Sequence, residues 1–380
     1  GTTLKPGGIL TGDLQWEGNI VGDLLIKDGE WSFNNSTTVY GNVTIIGTPS
    51  SGKSINSSYR TSLTIYGDLT TSDQVYLEGM TLTVYGDTIC GDAIDTHSAK
   101  HSIDGGDITI NGDLIVKAGG LIAYGGSSTT ASDAGNGADL VVYGDARITP
   151  GDGKSADMLF YGGDNSTSSN SAGDGGYVTI RGNLFGGWLD MSGGNAPSYV
   201  GGRGGDLRVY SDAHLDQIDT RGGTSSKDGV CQGGNIQIDG DLKTAGAGSA
   251  CRINTTSQNN TEANGGSFTV FGDAYCNTVE TNASAYSPIG NGNGGSINIG
   301  GDFHADSITT TGCAGATTGG NGGNVTVGGD IYCLNTLNVS AGAGKSSGGD
   351  AGLVSLNGGC IGTFQVNFPP ILDTQTLQVL

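Results

Sequence analysis

Helix-forming signals are almost missing from this chain. Only five of its 37 acidic residues are Glu, and no stretch repeats its apolar residues every three or four positions. Asp supplies the rest of the acidity, as turns prefer and helices do not. Proline is scarce, at 7 of 380, and the 73 glycines follow no G-X-Y period, so collagen and a simple disordered tract both fit poorly. Basic residues are few: 16 against 37 acidic, a net charge of -21. Such a surface repels nucleic acid and anionic membranes, so neither is expected as a partner. No apolar run approaches a bilayer span, which argues against membrane insertion, and no basic segment leads an apolar one as in a signal peptide. No Cys-x-x-C spacing is present, and the Gly-rich runs read as low-complexity loops. No enzyme is therefore expected.

What the chain does have is one loosely spelled sentence, repeated. Alternating apolar residues lead into a Gly-Asp step, the chain stays extended, reaches a Thr-rich segment and falls into a Gly/Ser/Asn loop. The Gly294–Asp330 stretch shows it well: GG-SINIGGDF…ITTTG…GG-NVTVGGDI. Taking the residue after Gly as zero, the series runs Asp13, Asp23, Asn42, Asp68, Asp87, Asp113, Asp145, Asn183, Asp212, Asp241, Asp273, Asp302, Asp330 and Gly359, with Ser211 once in place of Gly. The later intervals are 28–32 residues and two early ones are 19. A recurring period in this range marks stacked repeats. Position minus three is apolar throughout, from Leu10 and Ile20 to Val327 and Leu356. Minus five, plus one and plus three are mostly apolar too, and these offsets share one parity, hence one face of an extended chain.

The expected fold is therefore all-β: a parallel β-solenoid (β-helix) of about fourteen coils, a rod on the order of 65 Å at roughly 4.8 Å per coil. The crossover rule makes it right-handed. Residues 1–367 read as one repeat domain, with 1–22 an irregular cap or partial coil because Asp13 and Asp23 lie so close together. Residues 368–380 form a tail able to supply a pairing strand, cut off from the ladder by Phe368-Pro369-Pro370. Surplus residues in the longer coils fall before the next Gly-Gly, as in Gly162–Gly176 and Gly193–Gly205. They should gather into a Gly-rich ridge along one edge and read as low-complexity loops.

Several columns could carry chemistry. The outward Asp column either accepts backbone N–H bonds at the bend or offers calcium a ladder of oxygen ligands, with Asp212, Asp241, Asp273, Asp302 and Asp330 as metal candidates. Calcium is the one cofactor the composition leaves room for. Outward minus two carries Tyr40, Tyr66, Tyr85, Tyr143 and Tyr210, which could stabilise the sheet, stack surface carbohydrate or pack on another subunit. Cys231 with Cys251, and Cys333 with Cys360, are the disulfide candidates from adjacent coils. One of the seven cysteines must stay unpaired or bond another chain. Sequons at Asn35, Asn56, Asn165, Asn254 and Asn282, among others, suit a glycosylated extracellular chain. His214 and His304 face outward at plus two, and Asp212 with Asp216, or Asp302 with Asp306, form carboxylate pairs of the kind glycosidases use.

The GG-x-h-x-h-x-GD-h pattern, for instance GNVTVGGDI at Gly323–Ile331, resembles the repeats of filamentous-haemagglutinin-type adhesins. With its longer period, acidic Gly-rich loops, scattered cysteines and many sequons, the chain is more similar to the tubular sheath proteins of methanogenic archaea, whose β-rich subunits join into continuous sheets. That likeness implies a mechanical and protective role, with the chain itself as its main partner in a homopolymer. The expected location is extracellular or on the cell surface, any signal peptide already removed, as a start at Gly1 would suit. The alternatives are a β-solenoid adhesin or carbohydrate-binding surface protein, and a polysaccharide-degrading β-helix enzyme. Against the enzyme, the Asn-Thr-Asp, Gly-Asp-Asp and Gly-His-Gly motifs of pectate-degrading families are missing.

Overall fold

The structure is a computed structural model and describes residues 3–57, 61–130, 132–151, 156–225, 231–244, 251–258, 263–284, 286–287, 291–361 and 365–366. It is an all-β parallel solenoid, with no helix among these residues. Each coil has up to three strands. In the coil at Asp212 they are Leu207–Val209, Ala213–His214 and Gln217–Asp219. The first strands form one parallel sheet of fourteen among the described residues, while second and third strands share another. In the coils at Asp273, Asp302 and Asp330 second and third strands run together, as in Phe303–Thr309.

Parity places the core as the sequence pattern expects. Val209 stacks between Ile180 below and Ile238 above, all three fully buried, and the column continues through Val270, Ile299 and Val327. Identical apolar positions recur in every coil, so each coil buries its face only against its neighbours. Bulk is added locally by Trp31, Phe33, Phe160, Phe268 and Phe303, all in the interior.

The N-terminal coil differs from expectation. Leu4 pairs with Ile20, Leu10 with Ile26 and Leu14 with Trp31. Leu4, and not Leu10, thus holds the minus-three place of the first coil, and Asp13 lies at the later corner between second and third strands. Residues 3–15 make a complete three-strand coil in place of a cap. Without an insert, two different corners carry similar Gly-Asp steps, and spacing alone cannot tell them apart. The core face of this coil, Leu4, Leu10, Leu14 and Trp16, is only partly buried. The tail 368–380 lies outside the described residues.

The Gly-Asp step has a geometric cause. Oδ1 of each residue at zero accepts the backbone N–H of the residue at zero in the next coil. The bonds run from Asp23–Asn42 at 2.8 Å through Asp241–Asp273 at 2.9 Å to Asp330–Gly359 at 2.6 Å. Asn42 and Asn183 make the same bond with an amide oxygen. The preceding glycine is there for clearance: a Cβ at Gly86, Gly112, Gly272 or Gly301 would overlap the Oδ1 of the coil below. Ser211, the one exception, follows Asn183 in the stack. Its hydroxyl donates to Asn183 Oδ1 at 2.8 Å, and the backbone rung lengthens to 3.3 Å.

In several coils a threonine closes the turn. Buried Thr220, Thr255 and Thr281 donate through Oγ1 to the carbonyls of Gly234, Gly266 and Gly295 at 2.7–3.0 Å. The same glycines return their N–H to the threonine carbonyls at 2.6–2.7 Å. These inserts are therefore excursions pinned at their bases. Nor are the described legs of the inserts loose. Gly173 donates to Gly163, Gly194 to Gly173, Gly202 to Gly194 and Gly223 to Gly202, all at 2.8–2.9 Å, so legs and neighbouring inserts interlock. The strands of glycine pass too close for any Cβ: one at Gly202 would overlap the Gly173 carbonyl. Asx rungs recur here, with Asp164 to Asn195 at 2.6 Å and Asn195 to Thr224 at 2.9 Å.

Two outcomes test this ladder. Asp273→Ala leaves the Asp302 N–H without its acceptor and should lower stability by about 1–2 kcal/mol, whereas Asp273→Asn should stay within about 0.5 kcal/mol, as read from urea midpoints. Gly272→Ala should cost about 2 kcal/mol. Part of that loss should disappear in an Asp241→Ala background, because the two substitutions share one clash.

Candidate functional site

Three outward columns bear the side chains able to meet a partner. At minus two, Val21, Tyr40, Tyr66 and Tyr85 follow one another, with Val21 in register against Tyr40. The rings of Tyr40 and Tyr66 lie 5.1 Å apart at 5°, and those of Tyr66 and Tyr85 4.7 Å apart at 7°. Each of the three is 46–50% exposed. Their faces cover one another, so edges and hydroxyls are what they present outward. Further along, Arg181 sits between Tyr143 and Tyr210, its guanidinium carbon 4.9 and 5.4 Å from their ring centres, and Arg208 lies 4.3 Å from Tyr210. Cations over aromatic faces are favourable even at exposed sites.

A second column runs along plus two. Arg147 lies 4.1 Å from the Phe185 ring centre, and Phe185 stacks on His214 at 4.7 Å and 11°. Lys243 follows in register, and its Nζ reaches Asp241 Oδ2 at 2.9 Å. Tyr275, His304 and Tyr332 then stack at 4.5 and 4.1 Å. Asp241 is held below the usual carboxylate range by the Asp273 N–H and then by Lys243. His214 and His304 were placed outward by parity; that they are links in a continuous column was missed. The signal was present, since Arg147, Phe185, His214, Lys243, Tyr275, His304 and Tyr332 all sit two after zero. It reads as a column only once each coil is aligned to the next.

A third column, on the third strands and just beyond them, joins Lys53 to Tyr76 at 3.5 Å, then His97, Tyr124 and Tyr161. His97 is also bonded to the Asp95 carboxylate. Burial, then the nearby Glu78 carboxylate, pushes the Tyr76 hydroxyl up to about 12.

Apart from Asp13, which lies at another corner, the column is placed as expected, and Asp212, Asp241, Asp273, Asp302 and Asp330 fall in line. One oxygen of each is committed to a backbone N–H. No three His, Cys, Asp or Glu among the described residues converge as a metal site. Asp212 and Asp216 belong to one coil, Asp212 serving as a rung and Asp216 turning the corner after the second strand.

The cysteines require correction. All seven are free. Cys231 is buried and its Sγ donates to the Gly201 carbonyl, while Cys251 faces Cys276, its register partner in the next coil. Cys231 lies before the first strand and Cys251 opens a third strand, so the first and second strands between them, Ile236–Ile238 and Leu242–Lys243, hold them in different parts of the coil. Cys360 pairs with Ile331, two places short of Cys333, and is exposed where parity expects an inward side chain. Cys90, Cys276 and Cys333 are the small buried residues that parity expects.

Sequon placement is mixed. Asn35 is exposed; Asn56, Asn254 and Asn282 are half-buried. Asn165 is fully buried, and its Nδ2 donates to the Ser132 and Ser171 carbonyls at 2.9 Å, so the atom a glycan would modify is already spoken for.

Comparison with protein-family models, with curated proteins and with solved structures returns no match. The columns themselves thus carry the functional argument.

Cys251 and Cys276 should be the pair that a thiol oxidant such as diamide links, since in-register parallel neighbours suit a disulfide's Cα separation. The hydrogen bond that the Cys251 thiol makes to Cys276, and then burial, hold that thiol well above the ordinary range. Little thiolate exists near pH 7, and crosslinking should accelerate roughly tenfold per pH unit. Non-reducing peptide mapping reads the result; a Cys231–Cys251 bridge would contradict it.

Proposed function

We propose that this chain is an extracellular structural protein that self-assembles through the faces and edges of its solenoid into a cell-surface sheath, layer or filament. The observation that carries this reading is the Val21–Tyr40–Tyr66–Tyr85 strip. A sugar stacks on the open face of an aromatic ring, but these faces are taken up by one another. What remains is a straight, flat, half-apolar strip with a repeat equal to the strand spacing. A surface of that shape and period finds its best complement in another surface of the same period, such as a second copy. Interlocked inserts and one side-chain rung per coil favour a stiff rod, as a load-bearing unit needs. The likeness to archaeal sheath proteins, carried by the repeat pattern, points the same way. An acidic, sequon-bearing surface suits exposure outside the cell.

Negative-stain electron microscopy and light scattering of the purified chain should reveal ordered polymers. The triple substitution of Tyr40, Tyr66 and Tyr85 by Ser should abolish them while leaving the β-rich circular dichroism spectrum intact. A parent chain that stays a monodisperse monomer up to about 0.1 mM would remove the proposal, because lattice contacts that weak could not hold a layer together.

A further inference from the structure

The sheet of first strands pairs all fourteen coils without a register shift, whereas the other sheet slips at Gln74, Cys251 and Ala305. Two straight outward columns result, one at minus four from Thr3 to Ser355 and one at minus two from Lys5 to Asn357. Together they hold three basic residues, Lys5, Arg181 and Arg208, and one acidic residue, Asp239, which Arg208 meets at 2.7 Å. On a chain of net charge -21, this face brings no net negative charge to a contact between copies. Acidic columns border it at minus six and at zero, where solvent and salt screen them. Fourteen strands at roughly 4.8 Å, with a width of about four residues, give ~800 Å² per copy, the usual size of a stable interface.

The height of this face changes along the rod. Towards the N-terminal end Tyr40, Tyr66 and Tyr85 stand out from it, about half exposed. Towards the C-terminal end the same column reads Gly300 and Gly328, both exposed, and a Cβ at either would overlap the carbonyl of the coil below. The surface there falls to the main chain. Two rods laid face to face in the same direction would set tyrosine on tyrosine and hold the glycine ends apart. Laid in opposite directions, tall meets low at both ends, as close packing requires. Full overlap of fourteen coils sets Tyr40 over Gly300 of the second copy. It also sets Tyr143 over the second copy's Arg181 beside the two-fold axis, a cation against an aromatic ring. We propose that this face joins two copies in an antiparallel two-fold dimer, the tyrosine end of each covering the glycine end of the other. The proposal rests on the reading of the chain as a self-assembling unit, and makes the dimer the unit that assembles. A two-fold contact closes on itself, so growth beyond it belongs to other surfaces of the rod.

The test uses the full chain with Cys360→Ser, which removes the exposed native thiol, and single cysteines on the second sheet, away from the contact. Thr44 lies in the third coil and Ser307 in the twelfth, level with each other across the dimer. Energy transfer between copies labelled at Thr44→Cys and copies labelled at Ser307→Cys should be strong. Between two copies labelled at Thr44→Cys it should be weak, because those sites lie roughly 40 Å apart along the rod. The reverse order, or no transfer in either mixture, overturns the dimer. Asn298→Arg with Thr326→Arg fills the low end and leaves every tyrosine in place. That pair should raise the dimer Kd roughly tenfold with the circular dichroism spectrum intact, while Thr70→Arg on the second sheet should not. Equal Kd for the two variants also overturns the proposal. Electron microscopy separates the dimer from the reading beneath it. Antiparallel dimers that never grow remove the assembly reading alone, and polymers built without antiparallel transfer remove the dimer alone.

Discussion

Everything in this rod depends on one short bond: a side-chain oxygen at each bend accepting the backbone N–H at the same bend one coil later. Main-chain ladders hold strands together along their length, but at a corner the chain turns and its N–H groups leave the ladder. Buried or half-buried donors left unpaired are costly. The Asx oxygen meets that need with a side chain of the right length, and the rule is kept whether the residue is Asp or Asn. Glycine before it follows as a steric corollary, and the serine at 211 shows the corollary by its exception.

The chain's acidity is partly explained by the same bond. Asp at nearly every bend places carboxylates in file at strand spacing, where like charges repel. Each anion receives an N–H dipole from above, and Asn42 and Asn183 interrupt the file. The few cations are used sparingly: Lys243 beside Asp241, Arg208 beside Asp239, Arg221 beside Asp219. The fold tolerates its charge because each carboxylate is bonded where it stands.

How much of this could be read from the sequence follows from which interactions have a period. Alternation around Ile299 and Val327 gave strand, parity and solenoid, because burial repeats with the pleat. Outward placement of Tyr40, Tyr66 and Tyr85 followed from the same count. The Thr–Gly clamp was visible as composition only, since Thr220 and Gly234 meet across an insert whose length varies from coil to coil. Cys251 against Cys276 was hidden for a similar reason: inserts change the sequence distance between stacked neighbours while leaving the stack unaltered.

The rung at each bend also has a direction. Asp241 reaches forward to Asp273, Asp273 to Asp302 and Asp302 to Asp330; Asn183 also reaches back, its Nδ2 donating to Asp145 Oδ1 at 3.2 Å, but the acceptor is still the earlier coil's oxygen. A finished coil therefore offers an open acceptor to the segment that follows it in the chain, and never the reverse. Such a column works as a ratchet for growth from the N-terminal side: each coil is a template for its successor. A polypeptide emerging N-terminus first, from ribosome or export pore, meets its template in the order in which it appears.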